Sequence, residues 1–169
     1  KIPVIEHDGV KIFESATIVR YLLDTFEGDE ALLPRKDLKA RAAIDSLLDL
    51  NGNTFRPTMI GALIPLVLGP KFFGSPEATE EVNTAVLSTF TTVLTKVEAM
   101  TKEHKFLSSD AMSIADVFFY NELQTFTSFV TEFNMDDFPH VQKWFAAVEE
   151  NAIIQEINAE CVESIKAFG

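Results

Sequence analysis

The sequence predicts an α+β protein that is mostly helical, with a small β-containing segment in front of a helical bundle. Two short β-prone runs, Pro3–Ile5 and Val10–Phe13, flank a segment that contains Asp8-Gly9. An Asp-Gly pair between such runs is a strong hairpin signal. From residue 37 onward the apolar residues recur at three- and four-residue spacing, which indicates amphipathic helices. We therefore expect one hairpin, one helix beside it, and a bundle that forms most of the chain.

The chain divides into three parts at the sequence level. The first helix is predicted to have Ser15 as its N-cap and to end near Phe26. Residues 27–36 are mostly polar and contain Gly and Pro, which is typical of a linker. The predicted division is thus a β-containing part at residues 1–26, a linker, and an all-helical part at residues 37–169.

An apolar run at Met59–Leu68 is the nearest candidate for a membrane span. It is too short, because a span needs about 20 apolar residues. Gly61 and Pro65 interrupt the run, so we interpret the segment as a buried helix that bends. A loop is expected to follow at Gly69–Pro76.

The composition excludes several classes of function. Fourteen Lys and Arg residues stand against 26 Asp and Glu residues, which gives a net charge of −12. Such a surface repels nucleic acids and anionic membranes, and the sequence contains no local cluster of Lys and Arg. The three histidines are far apart, so no metal site is predicted. The lone Cys161, expected to be buried in the last helix, fits a reducing compartment such as the cytoplasm.

One helix start has a complete physical explanation in the sequence. Ser113 is predicted as an N-cap and Asp116 as the third helical residue, so each can accept a backbone N–H that has no partner in the helix. A capping box of this kind usually contributes about 1 kcal/mol of stability and takes no part in chemistry.

Three motifs together resemble the cytosolic glutathione transferases. Phe106–Asp116 resembles the capping-box motif of their helical domain, and Phe138–Trp144 resembles the start of their penultimate helix. Lys1–Ile5, with Phe13–Ile18 after the hairpin, resembles their glutathione-binding segment. The motifs occur in the family's order and span nearly the whole chain. The subclass is most similar to theta-like or related transferases.

The resemblance implies a partial thioredoxin-like domain followed by the all-helical domain. It implies a cis peptide bond before Pro3, with Ile2 and Pro3 pairing with the cysteinyl part of glutathione. Glu14 and Ser15 match the positions that hold its γ-glutamyl end. The residue chemistry agrees, since Ser15 and the free N–H groups behind it suit a carboxylate and Glu14 suits an ammonium group. Without the resemblance, an ordinary trans proline at Pro3 and a simple cap at Ser15 would be the preferred interpretation.

The pocket for a hydrophobic second substrate is predicted at Phe55, Met59 and Leu63, with Phe168 as an outside candidate. Apolar stripes are more often core than pocket, so these positions are weak candidates individually. Arg56 could face solvent, pair with an acid, or reach glutathione, and the sequence leaves these alternatives open.

The family's catalytic Ser, Tyr or Cys would precede Lys1, so no catalytic residue can be named. The resemblance implies conjugation of glutathione to hydrophobic electrophiles, or peroxide reduction, by a homodimer that needs no metal. An upstream segment is expected to complete the sheet. The alternative is a non-catalytic module of a larger assembly, in which a protein partner covers the incomplete sheet.

Overall fold

The computed structural model describes residues 2–130 and 133–167. The two strands form a hairpin at the start of the chain, and every later element is a helix in the part of the chain that the structure describes. In chain order they are β1 (Val4–His7), β2 (Val10–Phe13), α1 (Ser15–Thr25), α2 (Leu38–Leu50), α3 (Arg56–Leu63), α4 (Gly69–Phe72), α5 (Glu80–Met100), α6 (Ile114–Phe129), α7 (Pro139–Glu149) and α8 (Ala152–Ala167). The predicted class, mostly helical with a small sheet, is confirmed.

The hairpin forms at the predicted place. Strands β1 and β2 pair antiparallel, with Val4 opposite Phe13 and His7 opposite Val10. Asp8 and Gly9 connect them with φ angles of 50° and 78°. A two-residue turn fits the twist of the two strands only if both of its residues have positive φ. Asp and Gly tolerate positive φ, which explains why this pair occupies the turn.

Helix α1 begins one residue earlier than its predicted cap implies. Ser15 is the first helical residue, and Glu14 occupies the N-cap position without a side-chain cap hydrogen bond. The Glu14 carbonyl accepts the first helical bond from the backbone N–H of Ile18 at 2.9 Å. The prediction of Ser15 as N-cap is therefore wrong by one residue, because the turn out of β2 places Glu14 at the helix boundary.

The segment predicted as a polar linker is packed against both of its neighbours. Leu33 is fully buried, and the Leu32 carbonyl accepts a hydrogen bond from Ile114 N–H at 3.0 Å. The Arg35 guanidinium donates to the Gly28 carbonyl at 2.7 Å. This connection consequently has a fixed path between α1 and α2.

Ion pairs join α1 to α2. Arg41 donates two hydrogen bonds to Asp24, at 3.0 and 3.1 Å, and a third to Asp45 at 3.3 Å. Arg20 reaches the same Asp45 carboxylate at 2.9 Å. Hydrogen bonding from Arg41 is the main cause that lowers the pKa of Asp24 below its ordinary value of 3.8. The hairpin side of the molecule is thus held to the bundle by charge as well as by apolar contact.

The helical path from α2 to α4 bends through two wide π turns, at Asn51–Phe55 and Ile64–Leu68. Pro57 and Pro70 follow these turns closely. A proline has no N–H and clashes with the carbonyl four residues earlier, and a wider turn accommodates both defects. The predicted bend is confirmed, whereas the loop expected to start at Gly69 starts only after the short helix α4. Among the described helices, none combines the length and apolar character that crossing a bilayer requires.

The main core lies among α3, α5, α6 and α7 and is rich in aromatic rings. Phe55 stacks near Phe119 with ring centroids 4.8 Å apart, and Phe90 lies 4.0 Å from Phe126. Trp144 is 1% exposed at the centre of α7. Phenylalanine suits this role because it buries a large apolar surface without a hydroxyl that needs a partner.

One buried carboxylate connects three parts of this core. Asp116 is fully buried. Its Oδ2 accepts hydrogen bonds from Ser113 N–H and Ser113 Oγ, both at 2.8 Å. Its Oδ1 accepts from Leu107 N–H at 2.8 Å and from Trp144 Nε1 at 2.9 Å. The capping box at the start of α6 therefore also anchors the preceding loop and α7.

Helix α8 packs against the bundle near its beginning. Ile154 contacts the core, and Asn158 donates to the Tyr120 hydroxyl, which also donates to Glu149 at 2.9 Å. Burial of Tyr120 is the main cause that raises its pKa. Cys161, expected to be buried, is exposed. The apolar spacing of the tail misled the prediction, because no described element covers this part of the helix.

We predict that Asp116→Ala lowers the free energy of unfolding by about 3–5 kcal/mol, since buried donors from three segments would lose their acceptor. Chemical denaturation monitored by Trp144 fluorescence and by circular dichroism measures this. The control is Asp137→Ala, at an exposed position, with an expected change within about 0.5 kcal/mol. Equal effects of the two variants would contradict the central role of Asp116.

Asp24→Asn is expected to lower the free energy of unfolding at neutral pH and to leave it unchanged in acid. A carboxyl whose folded pKa is lowered contributes its full stability above its unfolded pKa, near 3.8, and loses it as the pH falls through the lower folded value. The pair is partly exposed, so the loss at pH 7 should stay below about 1 kcal/mol. Unfolding measured from pH 7 to pH 2 tests this. A difference between the two proteins that does not shrink below pH 4 would contradict it.

Candidate functional site

A groove of about 890 Å³ opens between the hairpin, the start of α1 and the start of α3. It brings together the four residues that the sequence singled out for ligand binding, together with Arg56. The complete lining is Ile2, Pro3, Val4, Lys11, Phe13, Glu14, Ser15 and Arg56. The peptide bond between Ile2 and Pro3 is cis, as the resemblance implies.

Glu14 has an unusual backbone conformation at the edge of this groove. Its φ and ψ angles are 66° and 116°. Residues other than glycine rarely adopt positive φ, and this ψ lies outside the small left-handed region that they tolerate. Such a conformation costs on the order of 1–3 kcal/mol and tends to persist where it serves a site. The geometry brings the Glu14 side chain and the first turn of α1 to the same groove.

The N-terminus of α1 faces the groove through Ser15. The first N–H groups of a helix have no partner within the helix, and the helix dipole places positive charge there. Ser15 is exposed, and its hydroxyl makes no hydrogen bond within the described part of the chain. Backbone N–H groups and a free hydroxyl at a helix start form a suitable site for a carboxylate.

Arg56 enters the groove from the helical bundle. It is the first residue of α3, directly after a π turn, and its side chain is 60% exposed. The guanidinium forms an ion pair with Glu122 of α6, whose side chain is only 10% exposed. Of the alternatives that the sequence left open, pairing with an acid is therefore confirmed, and Arg56 also lines the groove. Glu122 was not identified from the sequence, because 66 residues separate the two and no local pattern joins them.

The charges that line the groove are mixed, although the protein is strongly acidic. Lys11 and Arg56 are cationic and Glu14 is anionic. The remaining lining includes exposed apolar side chains, with Ile2 95% and Phe13 63% exposed. The arrangement can bind a polar ligand that carries both carboxylate and ammonium groups.

Comparison with known proteins decides the family. The model for the glutathione S-transferase C-terminal domain matches residues 55–152, which is more than half of the chain. The chain belongs to the glutathione S-transferase family. The resemblance stated from the three motifs is thereby confirmed.

Relatives of this chain match almost its entire length. Glutathione S-transferase F10 of Arabidopsis thaliana is 26% identical over 161 residues, covering 95% of this chain and 74% of its own. The human glutathione S-transferase T1-1 W234R mutant in its apo form superposes with a TM-score of 0.87 at 26% identity, covering 98% of this chain and 68% of its own. A glutathione S-transferase-I structure bound with lactoylglutathione has a TM-score of 0.81 at 22% identity, covering 94% and 74%.

The three residues predicted to line a hydrophobic-substrate pocket lie outside the groove. Phe55, Met59 and Leu63 are 1%, 0% and 2% exposed and belong to the main core. Their four-residue spacing directs one face of α3 toward α5 and α6, so none of them lines the groove. The outside candidate, Phe168, lies outside the described residues. Within the described ranges, no group of three His, Cys, Asp or Glu residues could hold a metal ion.

We predict that Glu14→Gly raises the free energy of unfolding by about 1 kcal/mol, because glycine removes the strain of the positive φ. The matched control is Glu6→Gly in β1, an exposed glutamate in ordinary strand conformation, which should lose about 0.5–1 kcal/mol. Urea denaturation of both variants measures the difference. A comparable loss in both would show that Glu14 is not strained.

Proposed function

We propose that the protein is a glutathione transferase whose groove binds glutathione and presents its sulfur to a small hydrophobic electrophile. The observation that carries this proposal is the meeting of Ile2, Pro3, Glu14 and Ser15 at one groove. These residues come from both sides of the hairpin. They are also the ones that the family resemblance associates with the peptide and γ-glutamyl parts of glutathione.

The charges of glutathione match those of the groove. At neutral pH the tripeptide carries two carboxylates and one ammonium group. Glu14 supplies the carboxylate that suits the ammonium group, and the N–H groups at Ser15 suit the neighbouring γ-glutamyl carboxylate. Lys11 and Arg56 provide the positive field for the second carboxylate. The exposed backbone at Ile2 would pair with the cysteinyl part in the manner of an added strand.

The chemistry that follows is thiolate attack. A free thiol titrates near ~8.5, so positive surroundings that favour the thiolate increase the reactive fraction at neutral pH. The sulfur then forms a bond to an electrophilic carbon, and a leaving group departs with the bonding electrons. With a peroxide, the sulfur would attack one oxygen instead, the O–O bond would break and the alcohol would leave, which forms a sulfenic acid. A second glutathione thiol would then condense with the sulfenic acid to give glutathione disulfide and water. Holding both reactants in contact supplies much of the acceleration.

The donor that stabilises the sulfur is not among the groove residues assigned above. In the transferases that the chain resembles, this donor is a Ser, Tyr or Cys in the segment before the part that matches Lys1. The lactoylglutathione-bound relative supports a glutathione-type ligand for a groove of this fold.

We further propose that residues 1–26 and 37–169 form the two domains. We also propose that the protein is located in a reducing compartment, the cytoplasm.

The second candidate is a non-catalytic module within a larger assembly, and one observation favours it. The two-stranded sheet exposes apolar side chains, including Val10 at 61% and Phe13 at 63%. Uncovered sheet edges and faces tend to acquire partners. Light scattering of the natural protein, combined with a conjugation assay on an aryl halide, distinguishes the two candidates. The first is an active homodimer, and the second is a catalytically silent subunit of a heteromeric assembly.

The glutathione proposal predicts that the natural full-length protein is retained on immobilised glutathione and elutes with free glutathione. Replacing Glu14→Ala together with Ser15→Ala removes the partners of both ends of the γ-glutamyl group. Affinity should therefore fall at least about tenfold, as expected for the loss of charge-assisted hydrogen bonds. Isothermal titration calorimetry with glutathione measures the change.

The matched control is Glu6→Gln, which removes a carboxylate from the same hairpin at a position outside the groove. Its affinity should equal that of the unaltered protein. Unchanged binding by the double variant, with the control also unchanged, would contradict the site. Absence of any glutathione binding by the full-length protein would favour the non-catalytic module.

A further inference from the structure

A second cavity, of about 570 Å³, lies on the bundle between the end of α5 and helix α7. Basic side chains dominate its rim, although the protein as a whole carries a net charge of −12. We call this feature the basic cleft. Its ionisable lining residues are Lys102, His104, Lys105, His140, Lys143 and the single acid Glu150. It shares no lining residue with the groove described above.

The basic cleft combines two short segments that are far apart in the sequence. One is residues 102–105 after α5, and the other is residues 140–143 in the first turns of α7. The Glu98 carboxylate joins them, because it accepts hydrogen bonds from the backbone N–H groups of His140 and Val141, at 3.0 and 2.8 Å. The two walls are thereby fixed, so a ligand would meet a preformed site.

The positive charge of the basic cleft is only partly neutralised. Lys105 pairs with Glu150 at 3.1 Å, and His104 lies 4.0 Å from the exposed Asp110. Lys102 and Lys143, in contrast, have no ion pair or hydrogen bond in the described part of the chain. The neighbouring Glu98 is already engaged by the N-terminus of α7. Two unpaired ammonium groups therefore face a concave surface.

We propose that the basic cleft binds a small phosphorylated polyanion carrying at least two phosphate groups. Lysine is a point charge that suits phosphate, and the cleft contains none of the forked arginines that suit a planar carboxylate. The volume lies in the range of small-molecule sites, about 300–1,000 Å³, rather than that of a flat macromolecular surface. Several cations spread over two walls match a ligand with separated anionic groups.

The test is titration of the natural full-length protein with sodium pyrophosphate, followed by isothermal titration calorimetry and by amide chemical shifts at constant ionic strength. We expect saturable binding, with the largest shifts at residues 102–105 and 140–143. ADP and adenosine are titrated in parallel under the same conditions. Binding of ADP but not of adenosine, at an affinity similar to that of pyrophosphate, would place recognition in the phosphates. Stronger binding of ADP would indicate a nucleotide as the natural source.

Charge reversal supplies the decisive comparison. Lys102→Glu combined with Lys143→Glu should weaken pyrophosphate binding about tenfold or more, and the Gln pair should weaken it less. The matched control reverses two exposed lysines outside the cleft, Lys39→Glu with Lys71→Glu, and should change the affinity little. Equal weakening by both double variants, or shifts scattered over the surface, would overturn the proposal. Glutathione binding is measured on the same variants and should be unaffected, which separates this site from the groove.

Discussion

A carboxylate without contact with water must be surrounded by hydrogen-bond donors, and the arrangement around Asp116 meets this requirement. Four donors converge on its two oxygens, from the start of α6, from the loop before it and from the indole of α7. Burial of a charge would otherwise be prohibitive. The same contacts fix where α6 begins and how α7 lies across it. Because α6 carries Glu122 and α7 carries one wall of the basic cleft, both binding surfaces depend on this buried group.

The groove depends on how the hairpin side is held to the bundle. The bidentate pair between Arg41 and Asp24 and the packed segment around Leu33 connect α1 to α2. Glu14 and Ser15 belong to the hairpin side, whereas Arg56 belongs to the bundle. Arg56 therefore joins Lys11 and Glu14 at the groove only because α1 and α3 are held at a fixed distance. Exposed ion pairs contribute little individually, but here they supplement an apolar contact rather than replace it.

Local signals made much of this fold predictable. Asp8-Gly9 predicts its turn because few residue pairs tolerate two successive positive φ angles. Ser113 and Asp116 predict a helix start because their spacing satisfies backbone N–H groups. Cys161 was misjudged, because apolar spacing shows which face of a helix could be buried but not whether another element covers it. Phe55, Met59 and Leu63 lie in the main core, and the sequence could not indicate this because one apolar stripe serves equally as core or as pocket.

The contacts that remained hidden join residues distant in sequence. Neither the Arg56–Glu122 pair nor the basic cleft has a local pattern, and the sequence contained no visible cluster of cations. A net charge of −12 describes the surface only on average. Residues 102–105 and 140–143 each contain too few lysines to be noticed in the sequence. Together they form a locally basic surface on an acidic protein, because Glu98 holds α7 beside the end of α5. The net charge argues more strongly against a large partner such as a nucleic acid, which contacts much of the surface, than against a small ligand, which contacts only a few residues.

The π turn at Asn51–Phe55 has a consequence for how the groove can change. Each residue of an α-helix rotates the direction of its side chain by about 100°, and a wide turn accommodates one additional residue. The apolar stripe before the turn and the stripe after it are consequently out of phase. The turn thereby sets the direction of α3 relative to α2, with Phe55 in the core and Arg56, about 100° further round the helix, at the groove. Loss or gain of a single residue at this turn would rotate all of α3 relative to α2. The identity of the groove's cation is thus set by the phase of a helix as well as by the residue at position 56.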